Sequence, residues 1–146
     1  MRKIITQTFI QAQPKTVWSI LMDSERYEEW NPFIIKMEGV PAKGQKIKNT
    51  MMNGDKPMSF EPTVTALEEN HYFEWLGSLP LNMFNGRHYF RLKAENGGTL
   101  LEHGEFFTGW LKGLLLRQIG ETTRNGFIAM NQALRERAEK ATLSFP

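Results

Sequence analysis

Strand-like alternation of apolar and polar residues fills the chain between a short helical pattern near its start and a long one at its end. Residues 2–11 alternate and are rich in Ile, Thr and Phe, which predicts a first strand. Pro14 suits the first turn of a helix, where a missing N–H costs nothing, and Val17, Trp18 and Leu21 follow at helical spacing. Ser24 and Glu25 start a second short helix with a cap and an acid at its positive end. Pro32 stops it, because the residue before a proline avoids helical backbone. Strands follow from Phe33 to Glu38 and over 45–53, separated by a turn from Gly39 to Gly44. Asn53-Gly54-Asp55-Lys56-Pro57 is a turn signal. Residues 58–68 and 72–78 read as a hairpin about Glu69-Asn70. Residues 86–95 and 98–109 read as a clearer one about Asn96-Gly97, the preferred pair for a two-residue type I′ turn. From about Leu111 to Thr142 the period becomes helical, with Leu111, Leu115, Ile119, Phe127, Met130, Leu134 and Ala138 on one face. Such a helix spans roughly 45 Å. Gly120 and Gly126 weaken it by up to ~1 kcal/mol each relative to Ala, and a glycine there lets a strand or a ligand approach the backbone.

The turn chemistry predicts which residues face inward. A two-residue turn at Asn96-Gly97 pairs Glu95 with Gly98, His88 with Glu105 and Phe90 with His103, and directly opposed residues share a face. One face then carries His88, Phe90, Leu92, Thr99, Leu101, His103, Glu105 and Phe107. The other carries Arg87, Tyr89, Arg91, Glu102 and Phe106. The first is mostly apolar and is expected to face the long helix. The same arithmetic at Glu69-Asn70 pairs Glu68 with His71, Ala66 with Phe73 and Val64 with Trp75. Phe60, Pro62, Val64, Phe73, Trp75 and Gly77 then point inward, and Glu61, Tyr72 and Glu74 outward. Ile47, Asn49 and Met51 are expected inward, opposite Lys46 and Lys48. A one-residue slip exchanges these sets.

At 146 residues the chain is expected to form one domain, 1–146, able to bury a core without staples. It has no cysteine, which excludes disulfides and thiolate chemistry. With no long apolar run at the N-terminus, the expectation is a cytoplasmic protein. No apolar stretch approaches the ~20 residues that span a bilayer. The net charge is only +2. Lys43, Lys46 and Lys48 read as the solvated face of a strand and not as a nucleic-acid site, which needs a larger basic stripe. Ten Phe, four Trp and eight Met supply bulk and adaptable filling for an irregular interior.

Several segments together resemble one known group. Pro14 with Val17-Trp18, Asp23 and Trp30-Asn31-Pro32-Phe33 is similar to the opening of the SRPBCC superfamily, the START-like, helix-grip proteins. Trp75-Leu76-Gly77, Gly86-Arg87-His88-Tyr89-Phe90, the run from Gly98 to Gly109, and Phe127 with Met130-Asn131 and Ala133-Leu134 fit as well. The branch most resembled is the small bacterial polyketide-cyclase/dehydratase-like one. Each motif is weak alone; their order and spacing over nearly the whole chain are more specific. The resemblance implies an α+β fold: a curved antiparallel seven-stranded sheet wrapped round a long C-terminal helix, two short N-terminal helices, and a ligand cavity between sheet and helix. It implies no single reaction, because the superfamily shares no catalytic motif.

Three polar groups on an apolar wall need partners, since an unpaired buried polar group costs roughly 1–3 kcal/mol. In one account His88 and Glu105 satisfy each other across the ladder and His103 meets water or a helix group such as Asn131. In a second they orient a ligand. A third, a metal site of two His and one Glu, needs a convergence that cross-strand spacing does not supply. His71 is expected in a solvated turn. The candidate ligand contacts are Met51, Phe60, Phe73, Trp75, His88, Phe90, His103, Glu105, Phe107, Phe127, Met130 and Asn131; His88, His103 and Glu105 are the candidate acid–base groups. Trp30-Asn31-Pro32 reads as structural. The apolar loop Ser78–Asn85 is expected either to cover the cavity mouth as a lid or to pack on Trp110 and Leu111; Leu114-Leu115-Leu116 reads as a helix start covered by the sheet, or as a membrane or partner surface. The leading functional expectation is binding of a small hydrophobic, lipid- or polyketide-like molecule. The alternatives are a cyclase/dehydratase-type enzyme and an interaction module like the chaperone-activator branch. No phosphate loop or dinucleotide fingerprint is present, so no cofactor is implied. The sequence leaves the oligomeric state open.

Overall fold

The computed structural model describes residues 2–143. In chain order the strands are β1 (Arg2–Ile10), β2 (Ile34–Glu38), β3 (Lys48–Asn53), β4 (Lys56–Phe60), β5 (Thr63–Glu68), β6 (Tyr72–Ser78), β7 (Asn85–Glu95) and β8 (Gly98–Thr108). Helices α1 (Pro14–Met22) and α2 (Tyr27–Trp30) lie between β1 and β2, and the long α3 (Lys112–Leu143) closes the chain. The antiparallel strands form a five-stranded ladder, β1-β8-β7-β6-β5, and a three-stranded one, β2-β3-β4.

Pro62 explains why eight strands appear where seven are expected. The run 58–68 is not one strand: it breaks at Glu61 and Pro62 into β4 and β5. Proline donates no ladder hydrogen bond, so within sheets it is tolerated at edges and strand ends and otherwise interrupts a strand. The two ladders remain joined across the break. Ile47 N–H donates to the Pro62 carbonyl, Val64 N–H to Gln45 and Gly44 N–H to Val64. The sheet therefore bends as one curved wall, with 44–47 stitched to β5 before β3 turns away to pair with β4.

The β7–β8 register is the one that the Asn-Gly turn predicts, from Glu95 opposite Gly98 to His88 opposite Glu105. The β5–β6 register departs from expectation near its turn. Glu68 pairs with Tyr72 and Leu67 with Phe73, so Ala66 does not face Phe73. The turn holds an extra residue, His71, with Asn70 in the left-handed region at φ 65°. A bulge between Val64 and Ala66 absorbs the shift and restores the expected Val64–Trp75 pair. Inward placement of Val64, Phe73 and Trp75 survives for that reason, and all three are buried.

The core lies between the five-stranded ladder and the C-terminal half of α3. Phe127, Met130, Asn131, Leu134 and Ala138 are buried there, against Phe90, Leu101 and His103 of the sheet. Leu111, just before α3, and Leu115 and Ile119 in its first half are only partly buried, and Leu114 is exposed. Asn31 turns the chain into β2, its Oδ1 accepting the N–H groups of Phe33 and Ile34, while Trp30 packs edge-on against Tyr27. Lys43, Lys46, Lys48 and His71 are all exposed. Among the described residues no helix is long and apolar enough to cross a membrane.

Gly126 has a specific reason to be glycine. A Cβ there would fall on the ring of Phe33, which lies against the helix backbone. Gly120 has only Leu116 Cβ nearby, at 3.8 Å, an ordinary contact. Gly126→Ala is therefore expected to destabilise the fold by ~1–3 kcal/mol through overpacking. Gly120→Ala is expected to stabilise it by up to ~1 kcal/mol through helix propensity. Urea denaturation midpoints of the two variants would show shifts of opposite sign.

Candidate functional site

Where the first half of α3 faces the bend of the sheet, the side chains leave a cavity of about 140 Å³. Its floor is the inner face of β6 to β8: Trp75, Gly77, Gly86, His88, Glu105 and Phe107. Register brings Asn49 of β3 opposite Phe60 of β4, and Met51 opposite Met58; these four, with Pro62, make the second wall. Ile119 and Thr123 of α3 and Phe33 form the third. Leu79 and Phe84 contribute from the loop after β6, along with Ser78. Met58, Phe60 and Leu79 are each about two-fifths exposed, so the cavity opens to solvent beside them.

One end of the cavity meets a buried polar chain. His88 Nδ1 lies 3.0 Å from Glu105 Oε1. His88 Nε2 lies 2.7 Å from His103 Nε2. His103 Nδ1 lies 2.8 Å from Asn131 Oδ1, Asn131 Nδ2 donates to Thr6 Oγ1 at 2.8 Å, and Thr6 Oγ1 donates to the His103 carbonyl at 2.8 Å. The strands place these groups: Thr6 on β1 is opposite His103, and His88 and His103 are diagonal neighbours on one face. Aromatic rings enclose the imidazoles. Trp75 stacks on His88 with centroids 4.5 Å apart, and Phe127 stacks on His103 at 4.2 Å.

The chain has a defined direction. Its fixed end is the His103 carbonyl, which can only accept, so Thr6 donates to it and accepts from the Asn131 NH₂ group. The Asn131 oxygen then faces His103 Nδ1, which must carry a proton. That leaves His103 Nε2 bare, so His88 Nε2 carries a proton and His88 Nδ1 is free to accept. One proton therefore lies between His88 and Glu105. Burial places it on the carboxyl: it pushes Glu105 up to about 8 and His88 down to about 3. His103 is held well below the usual histidine range, first by burial and then by the neighbouring His88, against an opposing hydrogen bond to Asn131. Near neutrality the assembly is an uncharged carboxylic acid donating to a neutral imidazole pair.

Gly86 makes room for this acid. A Cβ at that position would collide with Glu105 Oε2. No hydrogen bond engages Oε2 among the described residues, and the Glu105 side chain keeps 16 % exposure. The cavity also holds a second unpaired group: Asn49 is fully buried, and neither its Oδ1 nor its Nδ2 has a partner.

The structure divides the sequence-predicted residues into two sets. Met51, Phe60, Trp75, His88, Glu105 and Phe107 line the cavity. Phe73, Phe90, His103, Phe127, Met130 and Asn131 do not; they are packed in the core beyond it, all essentially inaccessible. The reason is depth. Strand parity says which face a residue is on, but not where along that face the helix closes down on it. Glu105, His88 and His103 run in a line, each bonded to the next, and do not converge on a point as metal ligands do. Among the described residues no cluster of three or more His, Cys, Asp or Glu is arranged to hold a metal ion.

Sequence reasoning did not single out Phe33, Met52, Met58, Ile119, Thr123 and Gly86 as site residues. Asn49 was expected inward without a role. Its signal was a polar residue at an inward position beside Ile47 and Met51. The Ser78–Asn85 loop borders the cavity on one side and meets Trp110 and Leu111 on the other. Leu79 and Phe84 line the cavity, while Leu111 N–H donates to the Met83 carbonyl and Trp110 Nε1–H to that of Leu81. Leu81 itself is 85 % exposed.

Comparison with known proteins agrees with this architecture. The chain is similar in structure to the ZhuI aromatase/cyclase from Streptomyces sp. R1128, at 15% sequence identity and a TM-score of 0.79, covering 97% of this chain and 95% of that one. It is also similar to a START superfamily protein from Mycobacterium smegmatis, at 18% identity and a TM-score of 0.71, covering 95% and 98%. At such identities the likeness establishes the helix-grip fold. No curated protein sequence matches significantly. A family model described as polyketide cyclase / dehydrase and lipid transport matches residues 1–140, nearly the whole length, and the chain belongs to that family.

Proposed function

We propose that this protein binds a small, largely apolar molecule in the cavity between the bend of the sheet and the first half of α3. The observation that carries the reading is an apolar space, open to solvent beside Met58, Phe60 and Leu79, that large side chains surround without filling. Burying a ligand's apolar surface there supplies ~25 cal/mol per Å², so about 300 Å² corresponds to roughly 7.5 kcal/mol before the costs of association. Membership of a family of cyclases, dehydrases and lipid carriers supports either holding or transforming such a molecule.

A naphthalene-based fluorescent probe tests the reading. Titration is expected to give saturable, one-to-one binding to native protein. Phe60→Ala removes partly exposed rim surface, so the variant is expected to keep its fold and bind the probe ~3–10-fold more weakly, about 1 kcal/mol of lost contact. Absence of saturable binding by the parent would overturn the proposal.

One observation supports a second reading, acid–base catalysis of the cyclase or dehydratase kind. The Glu105 carboxyl stands on the cavity wall, is pushed up to about 8 and is oriented by His88. A group that still carries its proton near neutral pH can protonate a carbonyl or a leaving hydroxyl and recover the proton later. Under this reading Glu105→Gln lowers turnover ~10²-fold or more while apolar binding persists.

A further inference from the structure

Resting on the binding reading above, we infer that the cavity selects an uncharged ligand whose polar end carries both a hydrogen-bond donor and an acceptor, such as a carboxamide or lactam, and rejects carboxylate and phosphate heads.

Asn49 carries the argument. It is fully buried at the cavity wall, and both ends of its amide are unpaired. Buried amides in folded proteins almost always have partners, because leaving one unpaired costs roughly 1–3 kcal/mol per group. An amide with a free N–H and a free C=O is matched by a group that offers one acceptor and one donor side by side. No protein atom presents such a group to Asn49, and a polar head seated in the cavity can.

Charge narrows the class. No Lys or Arg lines the cavity; its ionisable groups are His88 and Glu105. Both nitrogens of His88 are already engaged, by Glu105 and His103. In the resting arrangement the free Glu105 oxygen accepts, because the acid's proton is donated to His88. An anionic head would thus enter an apolar space with no cation and a carboxyl group close by, and the desolvation of its charge would go uncompensated. A neutral donor meets Glu105 Oε2 favourably.

The test uses one scaffold with different heads: naphthalene, 2-naphthamide and 2-naphthoate, titrated into native protein at pH 6.5. The expected order is naphthamide at least ~10-fold tighter than naphthalene, and naphthoate weaker than both. Asn49→Leu removes the unpaired amide, so the variant should fold with an unchanged or higher Tm. Its naphthalene affinity should be retained, while naphthamide falls to the level of naphthalene. If naphthalene binds but naphthoate matches naphthamide, or if Asn49→Leu leaves the preference for the amide intact, the head-group inference is overturned and the apolar cavity stands. If none of the three binds, both proposals fall together.

Discussion

Replacing His103 by leucine is expected to destabilise the fold by ~3–5 kcal/mol, more than any surface histidine could. Leucine fills the volume but severs the polar chain at its middle. His88 Nε2–H loses its acceptor at 2.7 Å, and Asn131 Oδ1 loses its donor at 2.8 Å. Both groups are buried where water cannot replace the imidazole. Each unsatisfied group costs ~1–3 kcal/mol, and the stacking of His103 on Phe127 is lost as well. The third histidine, His71, is exposed at its turn, and His71→Leu should change stability by no more than ~0.5 kcal/mol. Equilibrium urea unfolding of the two variants makes the comparison. A His103→Leu protein as stable as the parent would mean that the chain of hydrogen bonds contributes nothing beyond its volume.

The second large effect is a pH dependence that Glu105 should impose on stability. Its carboxyl is raised from 4.5 in the unfolded chain to about 8 in the fold. Between those values the native state keeps a proton that the unfolded state has lost. Stability contributed by the acid is full below pH 4.5 and falls as pH rises towards 8, by up to ~1.4 kcal/mol per unit. His88 has the opposite sign: lowered from 6.5 to about 3, it contributes fully above pH 6.5 and loses its contribution as pH falls towards 3. His103 is shifted in the same direction and adds to that acid limb. Stability from this cluster should thus peak near pH 6.5 and decline on both sides. Glu105→Gln isolates the alkaline limb. A glutamine amide can donate to His88 Nδ1 as the protonated acid does, but it has no proton to lose. Relative to the parent, the variant should gain ~2 kcal/mol between pH 6.5 and 8. A difference that stays constant over that range would indicate a carboxylate paired with an imidazolium.

The legibility of this structure differs between its local and its global features. Asn96-Gly97 fixes the β7–β8 register through local turn chemistry, and with it the meeting of His88 and Glu105. The Glu69-Asn70 hairpin is the contrasting case. Its turn holds three residues, a choice decided by Asn70 entering the left-handed region and by the bulge beyond Val64. Neither leaves a clear mark in the sequence. Trp75 nonetheless faces inward opposite Val64, because the bulge cancels the turn's shift. Pro62 did carry a signal, a proline within a strand-like run, and it marks the break between β4 and β5. The limits of the cavity were not legible. Phe73 and Phe90 share a face with Trp75 and Phe107, yet only the latter two touch the open space. Which of them does depends on where α3 seats on the sheet, through contacts such as Phe33 against Gly126, whose partners lie far apart in sequence.

The most direct test of the central claim is carbon-13 NMR of the methionine methyl groups during titration with 2-naphthamide. Met51, Met52 and Met58 line the cavity, whereas Met37 and Met130 are buried in the core away from it. Ring currents from a bound naphthalene decay over a few ångströms. The account predicts that the three cavity methyls shift saturably, with one-to-one stoichiometry, while those of Met37 and Met130 stay near their free positions. Saturable shifts confined to methyls outside the cavity, or no shifts at ligand concentrations that saturate fluorescence binding, would contradict it.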